Sequence, residues 1–376
     1  MASSIDVVYM VEASRELRDT QKNLLCGPDA QSTESNVGYQ STSKYGNKPI
    51  VWTDSIKSIP IGEYAFSRRL TSSATYSVCL EPSKMPFIVA HEFFDALPIH
   101  TFQSAEAKPP PSTPGASSTV AADASETNAP SSQGSNQPAM EWREMMVSPT
   151  HPGATHAELG TPKSEQHEPV PEFQLILSSK PTRHSRYLPE SSPRYRQLKQ
   201  TPGSVIEICP DASIYATDFA TRIGGSPKHP KPRPSGAALI LDYGTSDTIP
   251  INSLRGIRHH KRVNPFAAPG LVDLSADVDF TAIADIATAA SEGVEVHGPI
   301  DQGHFLELMG IRERAEMLEK APGVTKEAAE NIHRSWKRLV GRGPGGMGKV
   351  YKALAILPEN EGRRRPVGFG GDVHEK

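Results

Sequence analysis

Apolar residues in this chain come in short runs, several of them closed by an acid. Residues 5–12 (IDVVYMVE) predict a strand that ends on Glu12. Residues 86–91 (PFIVAH) and 236–242 (GAALILD) predict buried strands, since neither run alternates with polar positions. Residues 204–209 (SVIEIC) and 173–178 (FQLILS) are also strand-like. Helical spacing begins after Ser14, an N-cap, with Leu17, Leu24 and Leu25 on one face. A second helix is predicted over 211–223, led by Pro210 and stopped by Gly224-Gly225. The last third is mainly helical, at 280–290, 305–309, 311–320 and 325–340, before a closing strand at 350–357. Strands separated by helices predict an α/β chain with a doubly wound sheet. No internal repeat is visible.

The segments between these elements set the organisation. Residues 104–140 are mostly Pro, Ser, Ala and Thr and predict a disordered insert. Their flanks, 99–103 and 141–147, both have strand character, so the insert reads as the expanded turn of a hairpin. Such an insertion costs little, because closure entropy grows only logarithmically with length. The predicted division is a first folded region at 1–103, the insert, a remainder at 141–358 and a disordered tail at 359–376. Soft loops are expected at 148–171 and 226–235, the second cationic and extended.

Composition narrows the function. With 29 glycines and 34 prolines among 376 residues, the folded part is expected to be smaller than the length suggests. A net charge of −3 offers no electrostatic case for nucleic acid as a partner. No apolar run approaches the roughly 18 residues that span a bilayer. Three scattered cysteines, Cys26, Cys79 and Cys209, suit a reducing compartment and exclude a disulfide framework. The opening MASSIDVV reads as neither a signal peptide nor an Arg-rich transit peptide.

The candidate chemistry concentrates in HEFFDALPIH, residues 91–100. His91, Glu92 and Asp95 follow a predicted strand, among two aromatics and before Pro98. Ligands of open α/β sheets bind beyond the carboxyl ends of strands, where acids packed with aromatics face a ligand more readily than a core. Glu12 also ends a strand and precedes a helix, the placement from which nucleotide-type folds offer a carboxylate to ribose hydroxyls. Such folds carry a glycine-rich turn roughly 20 residues earlier. Only eleven residues precede Glu12 and none is glycine, so that loop is expected upstream of Met1.

Three motifs point elsewhere and are read as coincidental. Residues 341–352 (GRGPGGMGKVYK) look like a kinase glycine loop or half a P-loop, but Val350 replaces the magnesium-binding hydroxyl and only 24 residues follow Lys352. They predict a glycine-rich turn before the last strand. His91-Glu92 opens like a zinc H-E-x-x-H motif, but Asp95 holds the fifth position, so no metal is expected. His259-His260, among Arg255, Arg258, Lys261 and Arg262, reads as a solvated basic surface rather than a catalytic pair, with an acidic partner as the alternative.

Several blocks carry a family resemblance: MVEASRELRDTQKNLL, HEFFDALPIHTFQ, EWREMMV, IEICPDA, GAALILDYG, APGLVDLSADVDFTAIA and VHGPIDQGHFLELMGI. In this order, spanning 7–358, they resemble the mitochondrial protein arginine methyltransferases that assist complex I assembly. The resemblance implies a Rossmann-like class I methyltransferase sheet with helices on both faces, binding S-adenosylmethionine through the 1–103 region. It implies symmetric dimethylation of an arginine on a complex I core subunit, in the mitochondrial matrix. By position, Glu12 and the neighbouring Ser14 would hold the cofactor ribose, and Asp54 would reach the adenine amine or simply lie on the surface. His91, Glu92 and Asp95 would stand where methyl group and acceptor meet. Asp242 and Tyr243 would contact substrate or only terminate a strand.

A guanidinium is a poor nucleophile with a very high pKa. Carboxylates can clamp it, aim one nitrogen and accept the released proton, the role expected here of Glu92 and Asp95. The family's G-D-F-x-T-S segment and E-L-G-P-G-x-G loop have no counterpart here, so the first, central strand is expected to be missing; residues 65–80 look additional. A truncated gene model with a retained intron would account for both. Two rival readings follow: a non-catalytic assembly factor that lacks the loop, and a nucleotide-binding module built on Gly341–Gly348. The sequence leaves the oligomeric state open.

Overall fold

A parallel strand pair organises the first of two units into which the chain divides, Met1–Met85 and Pro86–Lys376. The computed structural model describes residues 4–61, 85–107, 139–163, 166–167, 169–363 and 365–371. In the first unit, β1 (Val8–Val11) runs parallel to β4 (Pro49–Thr53), in register from Val8↔Ile50 to Val11↔Thr53. Between them come α1 (Arg15–Leu25), β2 (Thr33–Glu34) and β3 (Tyr39–Thr42). The sheet order is β1-β4-β3-β2, with β2, β3 and β4 antiparallel. Ile50, Val51 and Trp52 of β4 are its buried centre. Ser14 caps α1 as expected, its Oγ accepting the Leu17 N–H at 3.3 Å.

The apolar face predicted for α1 is not a buried one. Leu17 and Leu24 are 52% and 64% exposed, and no residue of α1 is buried. Gln21 supplies a polar contact, accepting the Trp52 indole N–H at 3.0 Å. Among the described residues β1 pairs only with β4, and its Val8 and Tyr9 stay exposed. Residues 65–80, read as additional, lie outside the described residues.

The second unit begins with β5 (Phe87–His91), parallel to β10 (Ala237–Thr245). β10 is antiparallel to β16 (Tyr351–Pro358), and β16 to β15 (Val294–Asp301). The path is therefore β5-β10-β16-β15, with the short β14 (Val278–Asp279) joining the end of β10. Ile240, Leu354 and Ile356 fill its core. β5, predicted as a buried strand, alternates instead: Phe87 and Val89 are 75% and 70% exposed while Ala90 is buried. Phe87, Val89 and His91 point to one face of the strand and Ile88 and Ala90 to the other, and only the second face is covered. α4 (Pro210–Gly224) and α5 (Phe280–Ala290) pack on each other and on the sheet.

A separate antiparallel sheet has the order β8-β7-β6-β9. Its members are β6 (His100–Glu106), β7 (Met140–Pro149), β8 (Phe173–Leu177) and β9 (Val205–Ile208). β6 and β7 form the predicted hairpin, Phe102 opposite Glu144, each reaching a little into the stretch read as an insert. Residues 108–138 of that insert lie outside the described residues. Phe102, Trp142, Tyr195, Ile206 and Ile208 make this sheet's core, beneath α2 (Arg183–Tyr187) and α3 (Pro193–Leu198).

β11 (Arg255–Arg258), β12 (Lys261–Val263) and β13 (Asp273–Ser275) form a third, antiparallel sheet. His259-His260 is its two-residue hairpin turn, both at positive φ (49° and 59°), as a primed turn requires.

The chain closes through α6 (Gln302–Leu308), α7 (Ile311–Glu319) and α8 (Lys326–Val340). The glycine-rich segment after α8 is the tight turn predicted. Gly348 donates to the Gly341 carbonyl at 2.8 Å, and a Cβ on Gly348 would lie 2.2 Å from the Val340 oxygen. These glycines serve backbone packing. The tail from 359 is not wholly unstructured: turns run to Phe369, whose ring packs 5.3 Å from that of Phe305. Among the described residues no helix is long and apolar enough to cross a membrane.

Candidate active site at the carboxyl end of β5

Glu92 is the first residue beyond β5, and its backbone takes φ 48°, a left-handed conformation that costs a non-glycine residue energy. Its N–H donates to the Leu241 carbonyl at 3.0 Å, extending the β5–β10 pairing by one bond while the chain turns. The carboxylate stays exposed and accepts the hydroxyl of buried Tyr351. Burial first, then the bonds to Glu92 and Tyr243, holds Tyr351 far above the ordinary phenol range. His91 is also exposed, its ring stacked over Tyr351 at 6.4 Å. Tyr243 adds a second ring 4.0 Å from Tyr351, with the Arg255 guanidinium 4.9 Å above it. Two strand ends and a basic side chain thus build an aromatic wall beside an exposed acid.

Asp95 turns the other way. It is buried, and its carboxylate accepts the Ser275 hydroxyl at 2.8 Å. Burial raises its pKa more than Ser275 and Arg255 lower it, and the negative Glu92 adds to the rise. Asp242 corrects the expectation of a substrate contact. It is 0% exposed; Oδ2 accepts the N–H groups of Phe93 (3.0 Å) and Phe94 (2.9 Å), and Oδ1 that of Tyr243 (2.9 Å). Burial and then the charge of Asp95 push its pKa up to about 7. Asp242 is therefore the internal acceptor that shapes the HEFFD turn, and Tyr243 carries the more accessible face. Gly244, next along, lets β10 approach β14: a Cβ there would lie 2.4 Å from the Val278 oxygen.

Within the first unit, Glu12 and Asp54 each follow the last residue of a parallel strand, and the Val11↔Thr53 register makes those ends neighbours. Glu12 accepts the Ser14 N–H (2.9 Å) and the Gln21 amide (3.3 Å), one on each oxygen. The Ser14 hydroxyl is occupied with capping α1. Asp54 is an exposed carboxylate held by Arg18, in keeping with its surface alternative.

One cluster had no sequence signal. His100 on β6, Glu144 on β7 and His184 on α2 present ligand atoms all within 4.8 Å of one another. Forty-four residues separate the first pair and a further forty the second, so no motif spacing could announce them. The β6–β7 register and the helix laid on β7 bring them together.

Comparison with known proteins shows which family the chain resembles. The family described as "Putative S-adenosyl-L-methionine-dependent methyltransferase" matches residues 2–300. The chain is 28% identical over 355 residues to the mitochondrial protein arginine methyltransferase NDUFAF7 of Danio rerio, covering 93% of this chain and 61% of that protein. It is 27% identical over 367 residues to the Rattus norvegicus protein of the same name, covering 97% and 62%. The chain thus spans about three fifths of the length of these relatives. A crystal structure of a superfamily member from Burkholderia thailandensis, bound to S-adenosyl-homocysteine, shares the fold. Its TM-score is 0.53 at 17% identity, over 98% of this chain and 66% of that one.

Proposed function

The chain belongs to this family of S-adenosyl-L-methionine-dependent methyltransferases, and from that premise we propose that it is the larger part of a protein arginine N-methyltransferase. The observation that carries the reading is Glu92, an exposed carboxylate held at a left-handed backbone on a strand end and braced by Tyr351. Bound S-adenosylmethionine would supply an electrophilic methyl group on a sulfonium. Glu92 clamps the substrate guanidinium through its free lone pairs, aims one nitrogen and takes up the proton lost as the N–C bond forms. His91 and Tyr243 flank the planar cation, which aromatic faces attract, with the buried Tyr351 ring behind them. Asp95 and Asp242 lie inside and hold the turn.

Taken by itself, the first unit offers an acceptor that suits a ribose. Each Glu12 oxygen accepts one protein hydrogen bond and keeps acceptor capacity for a ribose hydroxyl. The finer reading is symmetric dimethylation of a complex I core-subunit arginine in the mitochondrial matrix, which rests on the relatives' names and the family resemblance. The test is a methyl-transfer assay on mitochondrial protein extracts with labelled S-adenosylmethionine, read by mass spectrometry of arginine peptides, alongside cofactor binding by calorimetry. Binding retained and transfer lost in Glu92→Gln is the expected result. Full activity in that variant removes the reading. No cofactor binding by the wild-type chain favours the assembly factor without catalysis.

A further inference from the structure

We propose that His100, Glu144 and His184 form a site for a divalent transition metal of the zinc class, separate from the acids at the end of β5. The geometry is that of two imidazoles converging on one buried carboxylate. His100 Nδ1 lies 2.7 Å from Glu144 Oε1, and His184 Nδ1 lies 3.5 Å from the same oxygen. The two ring centroids are 4.3 Å apart with the planes inclined at 60°, and the ligand atoms of all three residues lie within 4.8 Å of one another.

The elements explain why the donors are presented this way. His100 and Phe102 lie on one face of β6, their rings stacked at 6.1 Å, which fixes the first imidazole. Glu144, opposite Phe102 in the hairpin, is buried, and its second oxygen accepts the Thr182 hydroxyl. A ligating carboxylate oriented by an outer hydrogen bond is the usual support of a metal site. Thr182 also caps α2, accepting the Ser185 N–H at 3.1 Å, so the helix carrying His184 and the carboxylate are set by one residue.

Zinc bonds of about 2.0–2.2 Å to nitrogen and oxygen place ligand atoms roughly 3.3 Å apart in a tetrahedron. The 3.5 Å contact lies near that spacing, and side-chain shifts must open the 2.7 Å contact toward it, with all three ligand atoms starting within 4.8 Å of one another. His184, whose side chain is 54% exposed on a five-residue helix, has the freedom to make them. Two imidazoles and one carboxylate favour zinc, iron or manganese over magnesium or calcium. Three protein ligands also leave a coordination position open. A cavity of about 320 Å³, lined by Pro98, His100, His184, Leu188, Pro210 and Asp211, adjoins the two imidazoles. Water or a substrate oxygen is the fitting fourth ligand.

Calorimetric titration of the metal-stripped full chain with zinc alone, and with cobalt followed by its visible absorption, tests this. One equivalent is expected to bind with a Kd of about 10 µM or tighter. His184→Ala, at a largely exposed position that leaves the core untouched, should weaken binding about tenfold or more and change the cobalt spectrum. Glu144→Gln should do the same, with circular dichroism confirming the fold. The His259→Ala/His260→Ala double variant should bind as wild type does. No binding by the wild type at 1 mM zinc (a Kd weaker than about 1 mM) overturns the proposal. So does wild-type affinity in His184→Ala, or loss that follows the His259-His260 pair instead.

Discussion

Tyr351, the first residue of the last strand, donates its hydroxyl to Glu92, the first residue beyond β5, across 259 positions of sequence. The bond ties the exposed acid to a buried ring, which steadies the strained turn. In Tyr351→Phe the ring wall remains and the brace is lost. A hydrogen bond to a charged group contributes about 1.5–3 kcal/mol, so kcat should fall about tenfold or more with the protein substrate's KM little changed. Steady-state methylation kinetics check this, and an unchanged kcat would remove Tyr351 from the site.

Asp242 gives the fold a pH dependence of unusual sign for an acid. Its folded pKa of about 7 exceeds the ordinary 3.8, so the native state holds that proton more tightly than the unfolded chain. Its contribution is greatest while the group is protonated and is lost as pH rises from near 4 toward 7. The loss is at most about 4 kcal/mol over that interval. Thermal melts should show the wild-type midpoint falling across this range relative to Asp242→Asn, which keeps an acceptor but does not ionise. Parallel curves for the two proteins would contradict the assignment.

Glu12→Ala removes the acceptor of both the Ser14 N–H and the Gln21 amide. A stability loss of about 1 kcal/mol is expected, because the site is only half-buried and water can take over. Affinity for S-adenosylmethionine should drop by about tenfold or more, since two ribose hydrogen bonds go with it. Calorimetry that finds equal affinity in both proteins would place the ribose elsewhere.

Gly348→Ala tests the reading of the glycine-rich turn. The added methyl would meet the Val340 oxygen at 2.2 Å, backbone that α8 holds in place. Destabilisation of about 2–3 kcal/mol is expected in urea unfolding. ATP should bind neither protein, whereas a nucleotide loop would show binding that the variant loses.

Much of this fold could be read from residues alone, and what escaped has physical causes. The β6–β7 hairpin was legible across its long insertion because both flanks keep strand patterning. The helix from Pro210 to Gly224 was legible because proline and glycine mark its ends. The exposure of Phe87 and Val89 was not, since an apolar run reports what a strand can bury and not which of its faces is covered. Asp242 looked like Glu12, an acid ending a strand. Only its three backbone donors distinguish an internal acceptor from a ligand contact. His100, Glu144 and His184 lay beyond reach because register, not spacing, assembles them.

The open side of β5 has a consequence for how the protein behaves in bulk. Among the described residues no strand pairs with its outward N–H and C=O groups, and Phe87 and Val89 are exposed. Any extended chain that docks there satisfies the backbone and hides apolar surface in one step. In a concentrated sample the commonest such chain is another copy, so these residues are expected to favour self-association that a net charge of −3 does little to oppose. A lysine at position 87 would act as a gatekeeper, making the molecule more soluble without touching the acids at the strand's far end.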